Sequence, residues 1–390
     1  MPKNNLLRDL IDRRRKLIIG LNSGTSADGI DAAVIQVVGS GLQSKIKFIA
    51  GKTYKFNSAT KENILRCSAA GFNDADAWLK LDIELADKFA VAARKVIRLA
   101  GLKVSDIKLI GSHGQTVRHL PLSGKYSVTH QLADPARIAV KTGITTVGDF
   151  RISDVAAGGQ GAPLTPMANA ILFGKGPRAV GVLNIGGIAN ISWILLNRNK
   201  AEIFGCDTGP GNMLLDYLAR KLFKREFDAS GRLAAKGNCH DGLIKRFLRD
   251  PFFKIKGPKS TGREKFGSQF GEKFIQAGQA CGLKYHDILA TATKFIAETI
   301  IGCFQINRLN FDELILAGGG SHNHHLVGLL KSALPATRFS VSGDYGYPVD
   351  YLEAISFALM ANEAICSNRY YLKSVTGSPR VVVLGKICQG

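Results

Sequence analysis

The sequence predicts an α/β fold of two similar lobes, on three observations. Apolar runs at 17–22 and 30–38 flank the glycine-rich turn Ser23-Gly24-Thr25-Ser26-Ala27-Asp28-Gly29, as the two strands of a hairpin would. A second pair of runs, 179–184 and 189–196, surrounds Gly186-Gly187 in the same way. Finally, Asp106 to His113 is echoed by Asp312 to His322: each time a short apolar run leads into glycine and then a Ser-His pair.

The remaining elements follow in order. Residues 45–56 alternate as a third strand, and 78–100 read as a long helix. That helix places Leu81, Ile83, Leu85, Phe89, Ala92 and Val96 mostly on one face and stops at Gly101. Residues 107–110 are predicted as a buried strand ending at a turn, Gly111-Ser112-His113-Gly114. The glycine- and alanine-rich stretch 149–166 is predicted to be a loop at the lobe junction. Residues 201–206 form a short strand before Asp207-Thr208-Gly209-Pro210-Gly211-Asn212, and 313–317 another before Gly318-Gly319-Gly320. The last helix, 351–365, carries Glu353 near its start, where a carboxylate suits the helix dipole. The expected division is 1–145 with 350–390 for the first lobe and 146–349 for the second.

With 390 residues, 45% hydrophobic and 21% charged, the chain supports two packed cores. No apolar run approaches the roughly 20 residues that span a bilayer, and residues 1–16 are polar and Arg-rich, so a cytoplasmic protein with no membrane partner is expected. The formal charge of +21 fits nucleic acid, an acidic ligand or a basic proteome alike. Its clearest cluster, Arg13-Arg14-Arg15-Lys16, lacks interleaved aromatics to stack bases, so no nucleic-acid partner is expected. The seven cysteines include no Cys-x-x-Cys pair and read as reduced, mostly buried thiols. His322, His324 and His325 have no accompanying carboxylates, and no protein-held metal is expected.

Glycine turns let backbone N–H groups approach an anion closely, and three of them suggest a nucleotide phosphotransferase. Asp207, after a strand and before a glycine-proline-glycine turn, is placed as a general base or as a turn former. By residue type alone, Arg151 reads as a surface charge, Glu353 as a helix-start carboxylate and His113 as a structural histidine.

Six ordered segments carry a closer resemblance: Ser23-Gly24-Thr25-Ser26-x-Asp28-Gly29, Ser112 to Thr116, Gly158 to Pro163, Asn184 to Asn190, Asp207 to Asn212, and Pro258-Lys259-Ser260-Thr261-Gly262-Arg263-Glu264; the closing Val383 to Lys386 fits as well. In them the chain resembles the anhydro-N-acetylmuramic acid kinases of the actin-like ATPase and sugar kinase superfamily. The resemblance implies two actin-like (ribonuclease H-like) lobes related by internal duplication, with a central ATP/sugar cleft. It implies ATP and Mg2+, a sugar substrate, a homodimer, and Asp207 as the base that activates water. The nucleotide would contact Gly24, Thr25, Ser26, Ala27, Asp28, Gly29, Ile30 and Asp31, with Gly209 and Gly211 at phosphate and Gly318, Gly319 and Gly320 at adenosine. Arg151, Glu353, His113 and Gln115 would contact the sugar. Asn22, Ala27 and Lys265 depart from the family's usual Met, Leu and aromatic, which bears on substrate fit. A kinase for another anhydro sugar such as levoglucosan, and a non-catalytic actin-like nucleotide switch, are the alternatives.

Overall fold

The computed structural model describes residues 10–69, 71–123, 126–197 and 200–390. The chain divides into two compact units, 1–175 with 345–390, and 176–344. Each has its own apolar core.

The first unit is built on strands β1 (Arg15–Ser23), β2 (Gly29–Val38), β3 (Lys45–Lys55), β4 (Ile107–Ser123), β5 (Tyr126–Leu132) and β6 (Thr146–Gly148), with β12 (Lys386–Cys388) returning from the C-terminus. Its sheet runs β12-β6-β4-β1-β2-β3, and β5 pairs with β4. β1, β2 and β3 form an antiparallel meander, whereas β4 joins β1 in parallel and β6 joins β4 in parallel. The second unit repeats this plan with β7 (Ala179–Ile185), β8 (Ile188–Asn197), β9 (Lys200–Pro210), β10 (Glu313–Ala317) and β11 (Arg338–Val341). Its order is β11-β10-β7-β8-β9, again an antiparallel meander extended by two parallel strands. Hairpins close the meanders locally, while each parallel strand arrives through a helical crossover.

Between β3 and β4 lie α1 (Ser58–Cys67) and α2 (Ala75–Leu99). The Asp74 side chain caps α2 by accepting from Ala77 N. Leu81, Leu85, Phe89, Ala92 and Val96 of α2 are buried. Ile83 is not: two residues past Leu81 is about 200° around the helix, and Ile83 is 49% exposed.

α3 (Pro135–Thr142), α4 (Phe150–Ala156) and α5 (Thr165–Phe173) complete this stretch. The expected junction loop at 149–166 is therefore partly helical, and it belongs to the first unit. The division falls after Lys175 rather than after 145, because β6 hydrogen-bonds to β4 and β12 inside the first sheet and α5 packs on the C-terminal helix. It falls again before Tyr345, not at 350.

In the second unit, α6 (Asn212–Phe223), α7 (Ser268–Ala280), α8 (Tyr285–Asn307) and α9 (His324–Ala333) cover the sheet. The C-terminal helix α10 (Leu352–Ile365) is the core helix of the first unit and is buried from Ala354 to Ile365. It lies directly on bare backbone. A Cβ on Gly20 of β1 would stand 1.7 Å from Ala354 O, and one on Gly111 of β4 would stand 2.1 Å from Phe357 O. Only glycine at these two positions lets the helix seat, and that seating brings Glu353 of its first turn to the end of β1.

Cys67, Cys206 and Cys303 are buried, but Cys239 and Cys281 are exposed and Cys366 and Cys388 partly so, fewer buried thiols than composition suggests. All seven are free. No helix among the described residues is long and apolar enough to cross a membrane.

Candidate active site

In the first unit the β1–β2 connection forms a tight turn, with Ala27 N donating to Gly24 O at 3.1 Å. Ala27 takes a left-handed backbone, φ 54°, and its methyl is wholly buried, so it anchors the turn from below. Thr25, Ser26 and Asp28 are exposed, and a Cβ built on Gly24 meets nothing within 4 Å. The turn thus presents hydroxyls and backbone to open space. Asp28 pairs with Lys61 of α1.

The turn is fixed from behind by Gln115. Its side chain is wholly buried, with Oε1 2.6 Å from Ser23 Oγ and Nε2 donating to Gly24 O and Thr116 O, each at 3.3 Å. Ser23 Oγ also lies 2.8 Å from Gly29 O. Gln115 is therefore bound to the turn rather than offered as a sugar contact. The expected turn at 111–114 is instead the interior of β4, which runs to Ser123 with a kink at Gly114, φ 72°.

A polar row crosses the same sheet. Asn22, Asp31 and Thr53 are cross-strand neighbours on β1, β2 and β3. Thr53 Oγ1 donates to Asp31 Oδ1 at 2.6 Å, and Asn22 Nδ2 donates to Glu353 Oε2 at 2.6 Å. Burial, then the nearby charges of Glu353, Asp350 and Asp28, push Asp31 up to about 6, against the opposing pull of the Thr53 hydrogen bond. Asp31 thus belongs with Glu353, not with the exposed turn residues.

On β4, His113 is buried, its ring centroid 4.4 Å from that of Phe357. Arg151 Nε donates to His113 Nε2 at 3.1 Å, and His113 Nδ1 lies 3.1 Å from Gly114 O. Burial, reinforced by the Arg151 charge, holds His113 well below its ordinary value, so the ring is neutral with its proton on Nδ1. It acts as the acceptor that aims the guanidinium. Nearby, the wholly buried Asp154 accepts from Gly161 N at 2.7 Å and Thr376 Oγ1 at 2.6 Å, pinning the glycine-rich 158–161 segment.

In the second unit Asp207 lies within β9, which continues to Pro210. It is 6% exposed. Its N–H donates to Lys259 O at 2.9 Å, while its Oδ2 accepts from Thr261 N at 2.8 Å and Ser260 Oγ at 3.2 Å. Behind it, Cys206 Sγ lies 3.2 Å from Cys303 Sγ, and that contact, with burial, pushes the Cys206 thiol well above its usual range. Cys206 is no nucleophile.

The glycines of the second unit also have packing roles. Gly211 N donates to Gly187 O at 2.9 Å and Asn212 N to Gly186 O at 2.8 Å, so these amides tie α6 to the β7–β8 turn. A Cβ on Gly318 would meet Asn184 Oδ1 at 2.3 Å, and one on Gly320 would meet Ile185 Cγ2 at 2.2 Å, which makes both packing glycines. Gly209 sits over Phe253 and Thr299, and Gly319 is exposed.

A family model described as anhydro-N-acetylmuramic acid kinase matches residues 16–390. The chain belongs to the anhydro-N-acetylmuramic acid kinase family. It is 36% identical over 394 residues to the anhydro-N-acetylmuramic acid kinase of Caldanaerobacter subterraneus subsp. tengcongensis, covering 98% of this chain and 99% of that one. It is 34% identical to the enzyme of that name from Clostridioides difficile strain 630, covering 95% and 97%. Among solved structures, the (R)-2-hydroxyglutaryl-CoA dehydratase component A of Acidaminococcus fermentans aligns over 90% of this chain and 99% of that chain at 13% identity and a TM-score of 0.47.

In this kinase chain, sequence reasoning left Ser260 and Thr261 without a role, although both lie in a quoted segment. Nothing local to 258–264 signals that it lies against β9. Thr53 was likewise missed, since only the β2–β3 register pairs it with Asp31. Among the described residues no group of three or more His, Cys, Asp or Glu side chains is placed to hold a metal ion.

Proposed function

We propose that the protein converts 1,6-anhydro-N-acetylmuramic acid, ATP and water to N-acetylmuramic acid 6-phosphate and ADP, in the cytoplasm, as a step in reuse of cell-wall sugar. The observation that carries this is the buried Asp207 carboxylate, gripped at Oδ2 by Thr261 N and Ser260 Oγ, in a chain of this kinase family.

The anhydro sugar has no free hydroxyl at C1 or C6, so its bridge must open as it is phosphorylated. Asp207 takes a proton from water as the water oxygen bonds to C1; the C1–O6 bond breaks, and O6 bonds to the γ-phosphorus as ADP leaves. Asp207 then returns the proton to solvent, and atoms and charge balance. A carboxylate fixed by two donors keeps one orientation, which favours in-line proton removal.

Thr25 and Ser26, exposed beside Gly24, donate to the nucleotide phosphates from an open turn with the Lys61 ammonium close by at Asp28. Asp28 would hold Mg2+ through water, and the ion, bound with the nucleotide, would supply charge screening at the phosphates. Arg151, aimed by His113, pairs with the lactyl carboxylate, and Glu353 accepts from sugar donors.

Coupled measurement of ADP release with 1,6-anhydro-N-acetylmuramic acid, levoglucosan and N-acetylmuramic acid tests the assignment. Turnover with the first alone, with 18O from labelled water appearing on C1, is expected. Preference for levoglucosan reassigns the substrate, and silence with all three overturns the enzyme reading.

A further inference from the structure

The row Thr53–Asp31–Asn22 places two carboxylates, Asp31 and Glu353, around one amide. Asn22 is 2% exposed, so its amide meets Glu353 from the buried side of the sheet. Its Nδ2 reaches Glu353 Oε2 at 2.6 Å, the separation of a charge-assisted bond. Asp31 is held independently by Thr53 Oγ1 at 2.6 Å. Glu353 stands in the first turn of α10, a helix clamped to Gly20 and Gly111, so its backbone is fixed and its remaining freedom is side-chain rotation. The Asn22 amide restricts that rotation by donating to one carboxylate oxygen.

We propose that Asn22 is a positioning residue for sugar binding: its amide holds the Glu353 carboxylate in one orientation, which sets affinity for the sugar without taking part in phosphoryl transfer. This rests on the reading of Glu353 as a sugar contact. The anhydro-bridged sugar offers few donors, chiefly the 4-hydroxyl and the acetamido N–H, so each acceptor must be oriented in advance of binding.

The test is a double-mutant cycle in the full-length enzyme, using Asn22→Ala, Asn22→Leu, Glu353→Gln and the Asn22→Ala/Glu353→Gln pair, with KM for sugar and for ATP, kcat and melting temperature read for each. Asn22→Ala and Asn22→Leu are expected to raise the sugar KM roughly tenfold to a hundredfold, the range for losing a hydrogen bond to a charged group, with kcat within about twofold and the ATP KM unchanged. The double variant is expected to be no worse than Glu353→Gln alone, because Asn22 acts only through Glu353. Additive losses in the double variant, or a sugar KM that Glu353→Gln raises and the Asn22 variants do not, overturn the inference. A sugar KM indifferent to Glu353→Gln overturns instead the reading it rests on.

Discussion

Arg151 Nε and His113 Nε2 stand 3.1 Å apart, donor to acceptor, and the other face of the imidazole is fixed by Nδ1 at 3.1 Å from Gly114 O. The pair works only while His113 is neutral. Because its folded value is depressed, the unfolded chain binds a proton that the folded one refuses once pH falls through about 6.5. His113 thus contributes stability that is fully present above that pH and lost progressively below it. His113→Leu, which can neither charge nor accept, is expected to lose less melting temperature than the native protein between pH 7 and pH 5, and to raise the sugar KM roughly tenfold by releasing Arg151. Parallel melting curves across that range would rule out the neutral buried imidazole.

Asp31 titrates in the opposite sense. Its carboxyl is raised from 3.8 to about 6, so between those values the folded state holds a proton that the unfolded state has released. Its contribution is present below pH 3.8 and lost as pH rises through 6, with an upper bound of about 3 kcal/mol. Asp31→Asn keeps an acceptor for Thr53 and removes the charge. Its melting temperature relative to native is expected to climb from pH 4 to pH 6.5 and then level off; a constant offset would show that Asp31 ionises normally.

Asp207→Asn is expected to bind ATP and lose turnover, and Ser260→Ala gives a finer test. It removes one donor to Oδ2 while Thr261 N keeps the other. Loss of a hydrogen bond to the charged form raises a carboxyl pKa, so the acid limb of kcat/KM should move upward and kcat should fall roughly tenfold. Ser260→Thr should restore both. An acid limb unmoved in Ser260→Ala separates Ser260 from the base.

The meander strands, the long α2, the C-terminal helix and the glycine turns were legible in the sequence, because each is set by local period or by a single residue type. The echo between 106–113 and 312–322 likewise matches a real repetition of strand order. What was not legible depends on long-range register. Gly111 to Gln115 has turn composition, yet pairing with β1 draws it into one long strand. Nothing in the 112–116 segment signals that Gln115 sits beneath the Ser23–Gly24 turn, where the sheet places it. Nor does the composition of 318–320 signal that Asn184 and Ile185 leave no room for a side chain at Gly318 and Gly320. The glycines of 149–166 predict a loop, but Asp154 buries itself against Thr376, 222 positions away, within a helix.

Gly20 and Gly24 lie four residues apart and make opposite predictions. At Gly20 an alanine methyl would overlap Ala354 O, 1.7 Å away, and could be admitted only by lifting α10 from the sheet. Gly20→Ala should cost more than the ~1–3 kcal/mol of ordinary overpacking and impair sugar binding through Glu353. At Gly24 the same methyl meets nothing within 4 Å. Gly24→Ala should therefore melt within a few degrees of the native protein. If the turn holds phosphate at close backbone approach, that methyl nevertheless stands where a phosphate oxygen must come, and the KM for ATP should rise at least roughly tenfold while the sugar KM holds. An unaltered ATP KM in a Gly24→Ala protein of native stability would move the nucleotide site away from the β1–β2 turn.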